Sequence, residues 1–248
     1  MTRLAWLLIS LMLLARVAVA EPVVLTTADG VKVYGEFWSA TGPRAPLVLT
    51  FHQAGSSRAE YAPIAPRLNQ AGFSVLAIDQ RSGGSEFGGK NQTVASRGRS
   101  ASYDAALPDL EAALAWGKAR ANGAPVLVWG SSYSAALVFL LAARHPADVQ
   151  GLLAFSPGEY LGKPDAVSKA AQQLRVPVFV DQSSEEDEVE QARNILKAVG
   201  STDKTQFIPR KNGVHGSATL RSDRNAAGAE ENWTAVLAFL AKFKQPVR

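Results

Sequence analysis

The stretch Pro125-Val126-Leu127-Val128-Trp129-Gly130-Ser131-Ser132-Tyr133-Ser134-Ala135 decides how the rest of the chain is read. Its first five residues are a continuous apolar run, which suits a strand buried on both faces. An apolar helical segment follows over 134–144. Strand and helix are separated by so few residues that the turn between them must be sharp. A serine at the centre of such a turn needs small residues two places before it and two places after it, because strand and helix close on each other there. Gly130 and Ser134 satisfy that rule around Ser132. Centring the turn on Ser131 would put Trp129 at a small-residue position, and centring it on Ser134 would leave Gly130 outside. Size alone therefore selects Ser132 as the candidate nucleophile. The competing reading is an ordinary Gly-Ser turn that caps a helix, and the flanking strand and helix argue against it.

Working outward, apolar runs at 23–27, 31–38, 46–52, 73–80, 151–155, 176–181 and 205–210 read as further strands. The first two are joined through Asp29-Gly30, a hairpin signal. Helical spacing is read at 60–70, 102–120, 164–174, 188–199 and 230–243, with Leu107, Leu110, Ala113 and Leu114 marking one buried face. An antiparallel opening followed by alternating strands and helices predicts an α/β fold: one mostly parallel eight-stranded sheet with helices on both faces. Residues 83–99 are read as one long loop.

Two other loops carry candidate chemistry. The strand over 46–52 runs into His52-Gln53-Ala54-Gly55-Ser56. A backbone N–H in the loop after such a strand, together with the N–H that follows the nucleophile, forms an oxyanion hole. The amides expected there are those of Ala54, with Gln53 as the lesser choice, and of Tyr133. His52 is read mainly as a loop-orienting residue beside the substrate, and the Gln53 side chain as a further donor to substrate. Of the three histidines, His145 precedes Pro146 at a helix end, a structural position. His215, in Asn212-Gly213-Val214-His215-Gly216-Ser217, lies late in the chain on a glycine-flanked loop, which fits the order serine, acid, histidine. It is the candidate base. The acid belongs to the loop after 176–181, where Asp181, Glu185, Glu186, Asp187 and Glu188 all compete. Acids favour helix N-termini whatever their function, so composition alone does not choose among them.

These motifs together resemble the α/β-hydrolase superfamily, near its small dienelactone-hydrolase-like and serine aminopeptidase-like members. The resemblance spans 23–243 and also includes Asp79-Gln80-Arg81-Ser82-Gly83-Gly84-Ser85, similar to a D-x-R-G-x-G-x-S turn with Ser82 in place of glycine. It implies a serine hydrolase that acts on a carboxylic ester, or on an amide or thioester, with no cofactor. In relatives the acid lies in H-G-x-x-D, which maps onto Gln182-Ser183-Ser184-Glu185-Glu186 and favours Glu186. Dienelactone hydrolases proper use a cysteine nucleophile, and this chain has no cysteine. Only residues 156–175 separate the sixth and seventh strands, so a minimal cap and an open site are expected, with Tyr160, Phe87 and Tyr133 as walls.

Composition bounds the alternatives. Residues 1–20 carry Arg3, an apolar run at 4–14 and Ala18-Val19-Ala20, the pattern of a cleaved export leader. The run is short for a bilayer span, so a periplasmic or extracellular product without stable membrane insertion is expected. Residues 21–248 then form a single domain. Lys and Arg number 26 against 22 Asp and Glu, and no basic block interrupts the chain, so nucleic acid is not an expected partner. Three scattered histidines and no cysteine give no metal-ligand spacing. The expected partner is a small-molecule ester or acyl compound. The contrasting class is a catalytically inactive binding protein on the same fold.

Overall fold

The computed structural model describes residues 19–42 and 44–244. The proposed leader, apart from Val19 and Ala20, lies outside the described residues. Eight strands form one sheet in the order β1-β2-β4-β3-β5-β6-β7-β8. They are β1 (Glu21–Thr26), β2 (Lys32–Trp38), β3 (Leu47–Phe51), β4 (Ser74–Ile78), β5 (Val126–Ser131), β6 (Gly151–Phe155), β7 (Val178–Asp181) and β8 (Lys204–Gln206). The pairs β1–β2 and β2–β4 are antiparallel and every later pair is parallel, as the alternation of strand and helix predicts.

Side-chain alternation along the central strands divides the core between the two faces. On β5, Val126 and Val128 join one apolar cluster, while Leu127 and Trp129 join the other. The first cluster is covered by α3 (Leu107–Ala121), α4 (Tyr133–Arg144), α5 (Ala166–Ala171) and α6 (Glu186–Ala198). The second is covered by α1 (Ile64–Gln70) and α7 (Ala229–Leu240). Because β3, β4, β5 and β6 are buried on both faces, continuous apolar runs replace the alternating pattern of a half-exposed strand.

Three departures from the sequence reading have local causes. A six-residue segment of the expected loop 83–99 is helical: α2 (Gln92–Arg97) is capped by Asn91, whose side chain accepts from the Val94 N–H. The helix read at 60–70 begins instead at Ile64, after a separate 3-10 turn at Arg58–Tyr61. The last strand stops at Gln206, before Pro209, at the sheet edge. Between β6 and β7, α5 is the one helix, so the cap is as small as the sequence implies. No helix among the described residues is long and apolar enough to cross a membrane.

Candidate active site

Ser132 sits at the carboxyl end of β5 with φ 56° and ψ −123°, a conformation that costs a non-glycine residue of order 1–3 kcal/mol and collects at functional turns. The turn is held by the Ser132 N–H, which donates to the Phe155 carbonyl at 2.8 Å. The size rule read from the sequence has a direct steric basis. A Cβ on Gly130 would stand 2.2 Å from the Ser134 carbonyl oxygen, so strand and helix approach too closely for any side chain there. Ser134 fills the second small-residue position, and its hydroxyl is used. It donates to the His52 carbonyl at 2.6 Å and accepts from Gln80 Nε2 at 2.7 Å. These bonds tie the Ser132 turn to the neighbouring loop.

That neighbouring loop is oriented by His52, which is completely buried. Its Nε2 accepts from the Gln80 N–H at 3.0 Å, which places the ring proton on Nδ1, facing the Gln53 carbonyl at 2.8 Å. Burial pushes the imidazole down to about 4, so it stays neutral. His52 is therefore a loop-orienting residue, and the expectation that it also contacts substrate is corrected by its burial. The Gln53 N–H donates to Glu60 Oε2 at 2.8 Å, which removes it from the oxyanion alternatives. The Ala54 N–H has no protein acceptor among the described residues. Tyr133 is the first residue of α4, so its N–H has no carbonyl within the helix to bind. Neither amide donates to another group among the described residues.

His215 lies on the loop that follows β8. Its Nδ1 meets Glu188 Oε1 at 2.6 Å. The sequence reading favoured Glu186, two residues earlier; the structure brings Glu188 to the histidine instead, and Glu186 is exposed at the start of α6. The physical reason is helical phase. Glu188, Ala192, Ile195 and Val199 fall on the face of α6 turned toward the protein, whereas Glu185, Glu186 and Asp187 face solvent. Projecting the apolar stripe back along the helix would have found this acid.

Ser156 is a residue that sequence reasoning missed. It follows β6, has φ 52°, donates to Glu188 Oε2 at 2.7 Å and accepts from the Gly216 N–H at 2.8 Å. The Ser183 N–H adds a third donor to Glu188 at 3.1 Å. Burial alone would raise the Glu188 carboxyl. The hydrogen bonds from His215 and Ser156, with the imidazole charge, more than offset it and bring the group down to about 2. The same bond raises His215 above its ordinary value, against the opposing effect of burial.

An open cleft of ≈ 430 Å³ adjoins the pair, lined by Gln53, Glu86, Phe87, Val214, His215, Ala218 and Arg224. Gln53 holds Glu86 through Nε2 at 2.8 Å. Phe87, at φ 60°, packs its ring against the guanidinium groups of Arg221 and Arg224 at 4.6 and 5.0 Å. Gln53 and Phe87 thus line the cleft, while the Gln53 side-chain donor, expected to reach substrate, is engaged by Glu86. Tyr133 and Tyr160 are not walls of this cleft. Tyr133 is buried, donates to the Ser82 carbonyl at 2.6 Å and is covered by Tyr103. Tyr160, expected to bind substrate, instead donates to the Ser156 carbonyl at 3.2 Å behind the acid.

The comparisons with known proteins agree with this fold. The family model for serine aminopeptidase, S33, matches residues 42–164. No curated protein matches the chain. Among solved structures, the chain is similar to a dienelactone hydrolase from Anabaena variabilis, with TM-score 0.72 and 18% identity over 93% of this chain and 100% of that one. It is also similar to the Pyrococcus furiosus esterase Pf2001, with TM-score 0.70 and 19% identity over 92% of each chain. A cold-adapted esterase from an Arctic intertidal metagenomic library gives TM-score 0.67 and 21% identity, covering 91% of this chain and 94% of that one. At these identities the likeness is one of fold. Sheet order, strand directions and these structural matches together give the chain an α/β-hydrolase fold, and the serine aminopeptidase, S33, model matches just under half of it.

Proposed function

We propose that the protein is an exported serine hydrolase that cleaves a carboxylic ester through an acyl-enzyme on Ser132. The observation that carries the reading is the 2.6 Å contact between His215 Nδ1 and Glu188, on a loop packed against the strained Ser132 turn. With a carboxylate at Nδ1, the imidazole holds its proton on that nitrogen and keeps the Nε2 lone pair as a base.

In this reading Ser132 Oγ attacks the acyl carbon and its proton passes to His215 Nε2. The charge that develops on the carbonyl oxygen is met by the N–H groups of Ala54 and Tyr133, an arrangement in which one lost donor typically costs ~10²–10³ in rate. Collapse of the intermediate breaks the bond to the leaving alcohol, which takes the proton from His215. A water molecule then repeats the sequence at the acyl carbon and releases the acid. Amides and thioesters would react by the same steps. The small cap and the open cleft support a small ester as substrate. The leader-like residues 1–20 support a periplasmic or extracellular site of action.

The test is covalent labelling with a fluorophosphonate probe. Labelling of the wild-type protein that is lost in Ser132→Ala is the expected result. A folded protein that takes no Ser132-dependent label would overturn the hydrolase reading in favour of a binding protein.

A further inference from the structure

One buried carboxyl near the site has no part in the mechanism above. Glu60 lies on the 3-10 turn after β3 and is fully buried. Its Oε1 accepts from Ser131 Oγ at 2.6 Å and its Oε2 from the Gln53 N–H at 2.8 Å. Ser131 Oγ in turn accepts from the Ser217 N–H at 2.8 Å. One carboxylate therefore gathers three loops. Gln53 precedes the oxyanion amide of Ala54, Ser131 precedes the nucleophile, and Ser217 lies two residues after the base.

The packing around this junction leaves little freedom. A Cβ on Gly216 would stand 2.5 Å from Ser131 Oγ and 2.7 Å from Gln53 Oε1, so the base loop rests directly on the other two. Beneath it, Ser217 Oγ accepts from Trp129 Nε1 at 2.9 Å, and the Tyr61 hydroxyl donates to the Phe51 carbonyl at 2.7 Å. A junction of this kind supports the placement of reacting groups, where a ~1 Å error can cost about 100-fold in rate.

We propose that Glu60 is a positioning residue for the reaction at Ser132, and that it acts in its ionised form. The inference rests on the serine hydrolase reading. As the contacts stand both oxygens accept, Oε1 from the Ser131 hydroxyl and Oε2 from the Gln53 N–H, which is the pattern of a carboxylate. A proton on Oε1 would reverse the Ser131 contact and turn the Ser131 hydroxyl proton away from this acceptor, and one on Oε2 would compete with the Gln53 amide for that oxygen. Either changes the contacts that hold the three loops.

The groups that face Glu60 come from several elements. Arg221 approaches from beyond the base loop and donates to the Ala59 and Glu60 carbonyls. His215 acts from the base loop, Tyr61 from the same turn and Tyr133 from α4. Arg58, on the turn itself, is engaged by Glu36 and Asp79. No cation touches the carboxyl itself among the described residues, and burial dominates, pushing it up to about 7.

The proposal has a signature that a purely structural role does not. Below the titration of both groups, reaction at Ser132 must lose two protons, one from Glu60 and one from His215. The rate constant for labelling Ser132 with a fluorophosphonate, plotted as its logarithm against pH, is therefore expected to fall with a limiting slope of 2. In Glu60→Gln the slope is expected to become 1 and the plateau to fall about 100-fold. Glu60→Asp is expected to restore the slope of 2. Circular dichroism at each pH confirms that the folded protein is being measured. A slope of 1 in the wild-type protein overturns the proposal and needs no variant. A slope of 2 or an unchanged plateau in Glu60→Gln also overturns it, while leaving the Ser132 assignment intact. Absence of Ser132-dependent labelling at every pH overturns both.

Discussion

Two glutamates flank the loop that carries His215, and they differ in what partners them. Glu188 approaches from α6, is partly exposed and accepts from an imidazole, a serine hydroxyl and a backbone amide. Glu60 approaches from the turn after β3, is fully buried and accepts from a neutral hydroxyl and an amide. The first is brought down to about 2 and the second is pushed up to about 7. One residue type thus serves two tasks. Beside a titrating imidazole it is a permanent anion, and among neutral donors it is a group that ionises near neutral pH.

The largest effect is expected from breaking the charged partnership. Glu188→Gln keeps the shape but removes the anion that fixes the imidazole proton, and the rate at Ser132 should fall by about 10⁴-fold. Steady-state hydrolysis of 4-nitrophenyl acetate measures this, and a fall of less than tenfold would remove Glu188 from the triad. Losing the negative partner should also return the His215 titration toward its ordinary value. The acid limb of the wild-type profile should therefore lie above pH 6.5, and that of Glu188→Gln lower.

The two carboxylates should also influence stability with opposite signs. A depressed carboxyl stabilises the fold above its unfolded value and loses that contribution as pH falls toward its folded value. For Glu188 the loss runs from 4.5 down to about 2. A raised carboxyl does the reverse, so Glu60 costs stability as pH rises from 4.5 to about 7. Urea denaturation should then show Glu60→Gln gaining on the wild-type protein between pH 5 and pH 8, even as it loses activity. A stability difference that does not change with pH would contradict the comparison.

A smaller effect is expected at Ser156, which braces Glu188 and the Gly216 N–H together. Ser156→Ala leaves a buried amide without its acceptor, and urea denaturation should show a loss of about 1–3 kcal/mol. The smallest effect belongs to Glu186→Gln. Glu186 is exposed and points away from the base loop, so esterase activity should stay within about twofold of wild type.

The contrast also explains which parts of the molecule could be read from sequence. The Ser132 turn was readable because its constraint is local and steric: Gly130, Ser134 and Trp129 can be sorted by size without knowing the fold. The central strands were readable because burial on both faces leaves a continuous apolar run such as Leu47–Phe51. The acid was not, because four consecutive acids share one helix start and only helical phase, set by Ala192 and Ile195, separates Glu188 from Glu186. Glu60 was hidden for another reason. It reads as an ordinary polar residue at a helix start, and its burial follows from loops that are 71 and 157 residues away in the chain meeting over it. Tyr133 and His52 carried the opposite error: aromatic and imidazole groups beside a nucleophile suggested contact with substrate, whereas both are consumed by hydrogen bonds that hold loops.

The central claim, that Ser132 carries the acyl group, is tested most directly by trapping the intermediate. Wild-type protein mixed with 4-nitrophenyl acetate and quenched in acid within milliseconds should gain the mass of one acetyl group on the peptide containing Ser132. Ser132→Ala should gain none and release no burst of nitrophenolate. Turnover without acetyl on Ser132, or an undiminished burst from Ser132→Ala, would contradict the account.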